Sequence, residues 1–187
     1  MDFLKSSLSF LWEITKVAAI ALVLAGLVRY FIFQPFFVEG ASMEPNFEDG
    51  QYLIVDELSY FFRGGERGEV VVFNYPLDTS KYYIKRIVGL PGETVEIKNG
   101  KVIIYSDKNP DGFIISEDYL PKDLMTDGNI KRKLGQDEYF VLGDNRPNSS
   151  DSRRWGTLPA KDIIGRVLLR AWPVGSINIF KTPSYAT

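Results

Sequence analysis

The 187-residue sequence contains neither cysteine nor histidine. Without cysteine there can be no disulfide framework, no thiolate zinc site and no cysteine nucleophile. Without histidine the chain lacks the usual base that activates a catalytic serine, and the two absences together disfavour a transition-metal site. We therefore expect no cofactor and no metal. Any serine chemistry needs another base, and lysine is the strongest candidate.

The sequence also lacks a strong excess of charge of either sign. Its formal net charge is −2 and it has no long basic cluster, so nothing indicates a nucleic-acid partner. Hydrophobic residues make up 45% of the chain, an ordinary share for a folded protein. The length suits one medium-sized domain preceded by a membrane anchor.

One long apolar run, at residues 17–33, dominates the N-terminal region. About 20 helical residues at about 1.5 Å each span a bilayer core of about 30 Å. We predict a cytoplasmic segment at 1–14, a transmembrane anchor helix at 15–36 and an extracytoplasmic β domain at 37–187. A cleaved signal peptide and a buried core helix are the alternatives for this run.

The residues around the apolar run predict its orientation. Lys5 and Lys16 precede it and acidic residues follow it, which favours a single-pass protein of the cell membrane with its N-terminus in the cytoplasm. Arg29 lies near the end of the run, where its head group can reach the interface. Pro35 predicts where the helix ends.

Beyond residue 37 the sequence is typical of a mainly β, antiparallel fold. Short segments rich in β-branched and aromatic residues alternate with Gly, Pro, Asn and Asp. Seven strands are predicted, at 51–55, 69–73, 82–88, 94–97, 101–105, 138–142 and 165–170. Asn99-Gly100 predicts a two-residue hairpin turn. The more polar stretch at about 106–135 is interpreted as an insertion on the main sheet.

Ser42 and Lys85 are the strongest candidates for chemistry. Ser42 lies in GASMEP, at 40–45, and Lys85 in YYIKRIVGLPGE, at 82–93. A lysine acts as a base only when neutral, so its pKa must fall by about 3 units, equivalent to about 4 kcal/mol. In a strand, Tyr83, Lys85 and Ile87 share one face, so the amine can be packed against a core. The alternatives are a turn serine and a solvent-facing lysine.

A third candidate segment is GDNRPNSSDSRRWG, at residues 143–156. It is dense in hydroxyl and charged side chains and directly follows the predicted strand at 138–142. Polar residues concentrated where a strand ends are typical of a site built on a rigid scaffold. The alternative is an ordinary surface loop held by exposed Asp–Arg pairs, which would contribute little to stability.

These three segments, in this order and downstream of an apolar run, resemble the bacterial type I signal peptidases, the membrane-bound Ser/Lys leader peptidases. The single anchor and compact size are similar to the short Gram-positive type. The resemblance implies a serine endopeptidase in which Ser42 attacks the scissile carbonyl and forms an acyl-enzyme. Lys85 would be the general base and later the acid for the leaving amine.

The resemblance also implies supporting residues. Ser149 would hydrogen-bond and orient the Lys85 amine, Asp151 and Arg153 would form an ion pair, and Asp144 and Asn145 would shape the loop. The backbone N–H of Ser42 would donate to the developing oxyanion. Some relatives carry a serine two residues before the nucleophile as a second donor, and this position is Gly40 here.

The implied substrates are exported preproteins with small residues before the cleavage site. Candidates to line shallow, alanine-sized pockets are Val38, Met43, Phe47 and Ile84. The lipid bilayer is an expected partner, and the sequence leaves open an association with the export channel. Phe61 and Phe62 are either core residues or a second membrane contact.

Two other functions compete with this interpretation. A self-cleaving Ser/Lys repressor of the SOS type needs an N-terminal DNA-binding module, and an apolar run stands in that place. A membrane-tethered β binding module without catalysis would make Ser42 and Lys85 incidental. Incubation with a preprotein distinguishes the binding module from the peptidase.

Overall fold

The computed structural model describes the backbone of residues 2–31, 33–180 and 182, and the side chains of 10–24, 26, 35–180 and 182. The helices are α1 (Asp2–Phe31), α2 (Glu57–Arg63) and α3 (Ser152–Trp155), with short 3-10 turns at Arg146–Asn148, Ala160–Asp162 and Val174–Ser176. The strands are β1 (Phe33–Phe37), β2 (Tyr52–Asp56), β3 (Val70–Tyr75), β4 (Asp78–Gly89), β5 (Thr94–Lys98), β6 (Lys101–Ser106), β7 (Asn109–Ile114), β8 (Ile130–Lys133), β9 (Glu138–Leu142), β10 (Leu158–Pro159), β11 (Ile163–Trp172) and β12 (Asn178–Ile179).

Within the described residues, eight strands form a main antiparallel sheet in the order β1-β2-β11-β3-β4-β9-β10, with β12 paired to β11. The predicted mainly β, antiparallel class is confirmed, and each of the seven predicted strands is present. The central strands β3 and β9 are almost entirely buried, since both faces of the sheet are covered. From Arg86 onward β4 lies between these two strands, and its C-terminal part, residues 85–89, is buried.

A second sheet holds the strands β7-β6-β5-β8. Asn99 and Gly100 both have positive φ, 52° and 76°, as the predicted two-residue hairpin between β5 and β6 requires. The stretch interpreted as an insertion contains β7 and β8, which flank the β5–β6 hairpin on either side. A cluster that includes Val88, Val95, Ile104 and Leu142 packs this sheet against the main one.

The boundary of the N-terminal helix differs from the prediction. The anchor helix was predicted at 15–36, whereas α1 runs from Asp2 to Phe31 and so takes in the segment predicted to precede it. Residues 33–36 belong to strand β1, which pairs with β2. Pro35 has no N–H to donate, and an edge strand tolerates this because only one of its sides is paired. The proline thus lies within a strand and does not mark the helix end.

The described side chains of α1, at residues 10–24 and 26, are all exposed to solvent. This excludes the buried core helix for that part of the run. Among the described residues, no helix combines enough length with enough apolar character to cross a membrane, and the predicted transmembrane span is not confirmed. The expected position of the Arg29 head group falls outside the described side chains.

Phe61 and Phe62, predicted to be either core residues or a second membrane contact, lie on the short helix α2. Their relative exposures are 81% and 77%, so the core interpretation is wrong. Asp56 caps the helix by accepting a hydrogen bond from the Ser59 N–H at 3.0 Å. Tyr60, by contrast, faces inward and is buried. The helix therefore holds two phenylalanine rings in solvent at the end of β2.

Candidate active site

Ser42 and Lys85 meet in the folded chain. The Nζ atom of Lys85 lies 2.7 Å from Ser42 Oγ and 2.7 Å from the Ile84 carbonyl oxygen. Lys85 comes from β4, opposite Val71 of β3, whereas Ser42 lies in the turn segment between β1 and β2. Proton transfer between hydroxyl and amine needs this separation.

Burial determines the ionisation of the lysine. Lys85 is only 3% exposed, and the ring centroid of Tyr83, on the same strand face, lies 5.5 Å from its Nζ. Burial disfavours the charged amine and lowers its pKa to about 8, although the charges of Asp151 and Asp144 act in the opposite direction. An amine with this pKa is neutral in a substantial fraction of molecules near neutral pH.

The segment that carries Ser42 is held by core packing and by hydrogen bonds from the 143–156 loop. Met43 and Phe47 are completely buried in a cluster with Val38 and Leu53. Asn145 holds the segment from the 143–156 loop. Its side-chain Nδ2 donates to the Ala41 carbonyl at 2.9 Å, and its backbone N–H donates to the Ser42 carbonyl at 3.1 Å.

Asp151 and Arg153 form the expected ion pair. Arg153 Nε donates to Asp151 Oδ1 and its Nη2 to Oδ2, both at 2.8 Å, and the Gly143 N–H donates to Asp151 at 3.1 Å. Burial acts to raise the pKa of Asp151, but the bonds and charge of Arg153 and the Gly143 N–H together lower it. The carboxylate therefore stays ionised beside the lysine.

Asp144 pairs with Arg86, the residue after the candidate base. Arg86 donates to both carboxylate oxygens, from Nε at 2.8 Å and from Nη2 at 2.6 Å, in a buried pair. Asn46 Nδ2 donates to the same carboxylate at 2.9 Å. As strand alternation predicted, Arg86 and Lys85 point to opposite faces of β4.

Ser149 lies beside Asp151 and Gly143. It is 2% exposed, and within the described residues its Oγ makes no hydrogen bond to the Lys85 amine. Its hydroxyl contributes to the lowered pKa of Asp151. Its side chain packs instead against Gly143, where an added Cβ would lie 2.2 Å from Ser149 Oγ. The amine of Lys85 is directed at Ser42 and at the Ile84 carbonyl.

The site opens into a cleft of about 890 Å³. Residues 35–42 and 81–85 line it, together with Leu53, Val72, Asn148 and Ser150. Val38 and Ile84 line this cleft as predicted. Met43 and Phe47 do not, because both side chains point into the core beneath it.

Sequence reasoning missed two aromatic residues that line the cleft and a buried arginine in the 143–156 loop. Phe36 and Tyr82 both line the cleft, and their ring centroids lie 5.8 Å apart in an edge-to-face contact. Arg146 is 1% exposed and binds Glu117. The arginine lies inside a segment already singled out, but nothing near Glu117 in the sequence marks it as part of the site.

No cluster of carboxylates in the described part of the chain is arranged to hold a metal ion. The site brings together a serine hydroxyl and an adjacent amine of lowered pKa. That combination can activate a nucleophile without a metal ion or an imidazole.

Similarity to known proteins identifies the family of this chain. The family model "Signal peptidase, peptidase S26" matches residues 11–172. The chain belongs to this signal peptidase family. The match includes Ser42, Lys85 and the whole 143–156 loop.

Individual members of the signal peptidase family are similar over most of their length. A signal peptidase I of Bacillus amyloliquefaciens is 41% identical over 159 residues, covering 82% of this chain and 81% of the relative. A probable signal peptidase I-1 of Synechocystis is 37% identical over 179 residues, covering 88% and 84%. A solved signal peptidase I of Enterococcus faecalis V583 is 29% identical, covering 55% of this chain and 96% of that one with a TM-score of 0.47.

Proposed function

We propose that this chain is a serine endopeptidase that removes N-terminal signal peptides from exported preproteins through a Ser42/Lys85 dyad. The observation that carries the proposal is the 2.7 Å separation between Ser42 Oγ and the buried Lys85 Nζ. The signal peptidase relatives supply the substrate class. A binding module would need neither a buried amine nor a hydroxyl aimed at it.

In the acylation step, neutral Lys85 takes the Ser42 hydroxyl proton while Oγ forms a bond to the scissile carbonyl carbon. The developing oxyanion accepts a hydrogen bond from the Ser42 backbone N–H. The protonated lysine then donates its proton to the leaving amine as the C–N bond breaks, which leaves an ester on Ser42. In the second step, water attacks the ester with Lys85 again as base, and the Ser42 hydroxyl is restored.

The cleft suits an extended peptide with small side chains. Its lining includes two stretches of strand, residues 35–37 of β1 and 81–85 of β4, whose N–H and C=O groups on the sides away from β2 and β3 can pair with a substrate strand. Val38 and Ile84 line the cleft together with Ser42 and pack on the buried cluster beneath it. Because the core beneath them is closely packed, we expect small residues such as alanine to fit next to the scissile bond and larger ones to be rejected.

Membrane attachment is part of the proposal. Large apolar side chains of α1, among them Phe10, Trp12, Leu22 and Val23, are 62–74% exposed and pack against no described part of the β domain. Such a surface is costly to leave in water, and a lipid bilayer covers it. The predicted single-pass orientation, with a cytoplasmic N-terminus, follows from the flanking charges and stays a prediction.

The experiment is cleavage of a purified preprotein by the detergent-solubilised full chain. We expect Ser42→Ala and Lys85→Ala each to reduce the cleavage rate at least about 10³-fold, because the remaining groups supply only binding and oxyanion stabilisation. Lys131→Ala, which removes an exposed lysine far from the cleft, is the matched control and should retain full activity. Circular dichroism verifies the fold of each variant. Persistent cleavage by a folded Ser42→Ala or Lys85→Ala protein would disprove the assigned roles.

A further inference from the structure

One segment between β7 and β8 contacts the buried arginine behind the site. Glu117 accepts hydrogen bonds from both terminal nitrogens of Arg146, one of them at 2.9 Å from Nη1. Thr126 Oγ1 accepts a further bond from Arg146 Nη1. The Arg146 side chain is 1% exposed and that of Glu117 is 15% exposed, so the pair is largely shielded from water. Ionic hydrogen bonds are strong and geometrically demanding in such surroundings.

Tyr119, on the same segment, contacts the other two parts of the site. Its carbonyl accepts a hydrogen bond from Asn46 Nδ2 at 2.9 Å, and its ring centroid lies 4.0 Å from the Arg86 guanidinium carbon. Its hydroxyl donates to Glu117 Oε1 at 2.6 Å. The segment therefore contacts the chain after Ser42, the residue after Lys85 and the 143–156 loop. We call Glu117, Tyr119 and Thr126 the brace.

Arg146 and Asn145 connect the brace to the Ser42 segment. Arg146 Nε donates to the Gly143 carbonyl at 3.0 Å, which closes the turn around Asn145. Asn145 in turn donates to the carbonyls of Ala41 and Ser42. A displacement of Arg146 would thus reach the backbone of Ser42 through the Arg146–Gly143 bond and the Asn145–Ser42 bond.

We propose that Glu117 is a positioning residue for Ser42, acting through Arg146 and Asn145. The inference rests on the proposed Ser42/Lys85 peptidase function. Glu117 makes no contact with Ser42 or Lys85, so its effect is on the alignment of the reacting groups. A misplacement of about 1 Å can lower a rate by about 10²-fold, because the reacting atoms leave the attack geometry.

The test is a double-mutant cycle on preprotein cleavage by the full chain. Glu117→Gln keeps the side-chain shape and removes the charge that holds Arg146. We expect kcat to fall about 10- to 100-fold with KM within about threefold. The loss should be smaller in an Asn145→Ala background, which removes the side-chain bond to Ala41 and keeps the backbone bond to Ser42. Tyr119→Phe removes the hydroxyl bond to Glu117 and should lower kcat by a smaller factor.

The matched control is Glu93→Gln, which breaks the similarly buried Arg67–Glu93 pair away from the 143–156 loop. We expect its effect, of whatever size, to be the same in the wild-type and Asn145→Ala backgrounds. Equal losses for Glu117→Gln in both backgrounds, or a loss accounted for by a lower folded fraction, would overturn the inference. If Glu117→Gln does not fold, kcat of Tyr119→Phe is compared in the wild-type and Asn145→Ala backgrounds instead, and equal losses would again overturn the inference. Cleavage by Ser42→Ala would instead show that the proposed function itself had failed.

Discussion

At the scale of single residues, the ionisation of Lys85 depends on which of two opposing effects is larger. Two carboxylates, on Asp144 and Asp151, favour the charged amine, and burial favours the neutral one. Each carboxylate is already bound bidentately by an arginine, Arg86 or Arg153. Burial is the largest of these effects, and it lowers the pKa of Lys85.

The first prediction concerns the pH dependence of cleavage. Because only neutral Lys85 accepts a proton and its pKa is about 8, kcat/KM should rise with pH below about 8 and level off above it. Initial rates of preprotein cleavage between pH 6 and 10 measure this inflection. An inflection near 10.5, the ordinary lysine value, would contradict a buried amine as the base.

The second prediction concerns stability. The folded pKa of about 8 lies below the unfolded value of 10.5, so between these values the unfolded chain binds more protons and stability rises with pH. Below about pH 8 the buried charge costs about 3 kcal/mol. We expect Lys85→Met to be more stable than the wild type at pH 7, by up to that amount.

Urea midpoints of the two proteins from pH 7 to 10.5 test this prediction. The difference should shrink as pH rises through the window between the folded and unfolded pKa values. A difference that does not change with pH would show that the stabilisation comes from packing of the methionine side chain and not from removal of a buried charge.

At the scale of elements, the 143–156 loop lies directly against the Ser42 segment. A Cβ on Gly143 would lie 2.2 Å from Ser149 Oγ and 2.5 Å from the Ser42 carbonyl oxygen. The first of these atoms can rotate away, but the second belongs to the backbone. Only glycine lets the loop lie this near the nucleophile without moving it.

The third prediction follows from this contact. Gly143→Ala should displace the Ser42 backbone and lower kcat for preprotein cleavage about 10²-fold or more. Gly175→Ala is the control, because a Cβ there meets nothing within 4 Å, and it should cleave at the wild-type rate. Wild-type activity in Gly143→Ala would mean that the loop can move away from Ser42 without consequence.

At the scale of the whole molecule, two exposed apolar surfaces lie at the same end of the main sheet. The register pairs Phe33, just after α1, with Asp56, just before α2. The exposed rings of Phe61 and Phe62 are thus carried on the helix that begins beside the point where the chain leaves α1. This placement favours the membrane-contact interpretation of these two residues.

The fourth prediction tests that contact. A Phe61→Ser/Phe62→Ser variant should cleave a preprotein embedded in vesicles at least about threefold more slowly than the wild type, because the apolar contribution to interfacial binding is lost. On a short soluble peptide, the variant should cleave at the same rate as the wild type. Ile114→Ser, an exposed apolar residue on the second sheet, is the control. Equal rates on the vesicle-embedded preprotein would exclude a role at the membrane.

Several features of this protein were determined by local sequence. Strand alternation alone places Lys85 and Arg86 on opposite faces of β4, and Asn99-Gly100 alone specifies a hairpin turn. Because the chain lacks histidine and cysteine, few side chains can serve as the base that activates a serine. These properties depend on neighbours one to a few residues apart, so they can be read without tertiary contacts.

Tertiary structure alone decided which distant residues come together and which side chains are buried. Ser42 and Lys85 are 43 residues apart, and only the packing of the Ser42 segment on the core brings their side chains together. The same packing buries Met43 and Phe47, which local sequence could not distinguish from cleft residues. The link from Glu117 to Arg146 is equally non-local, because burial and partnership depend on which segments the fold brings into contact.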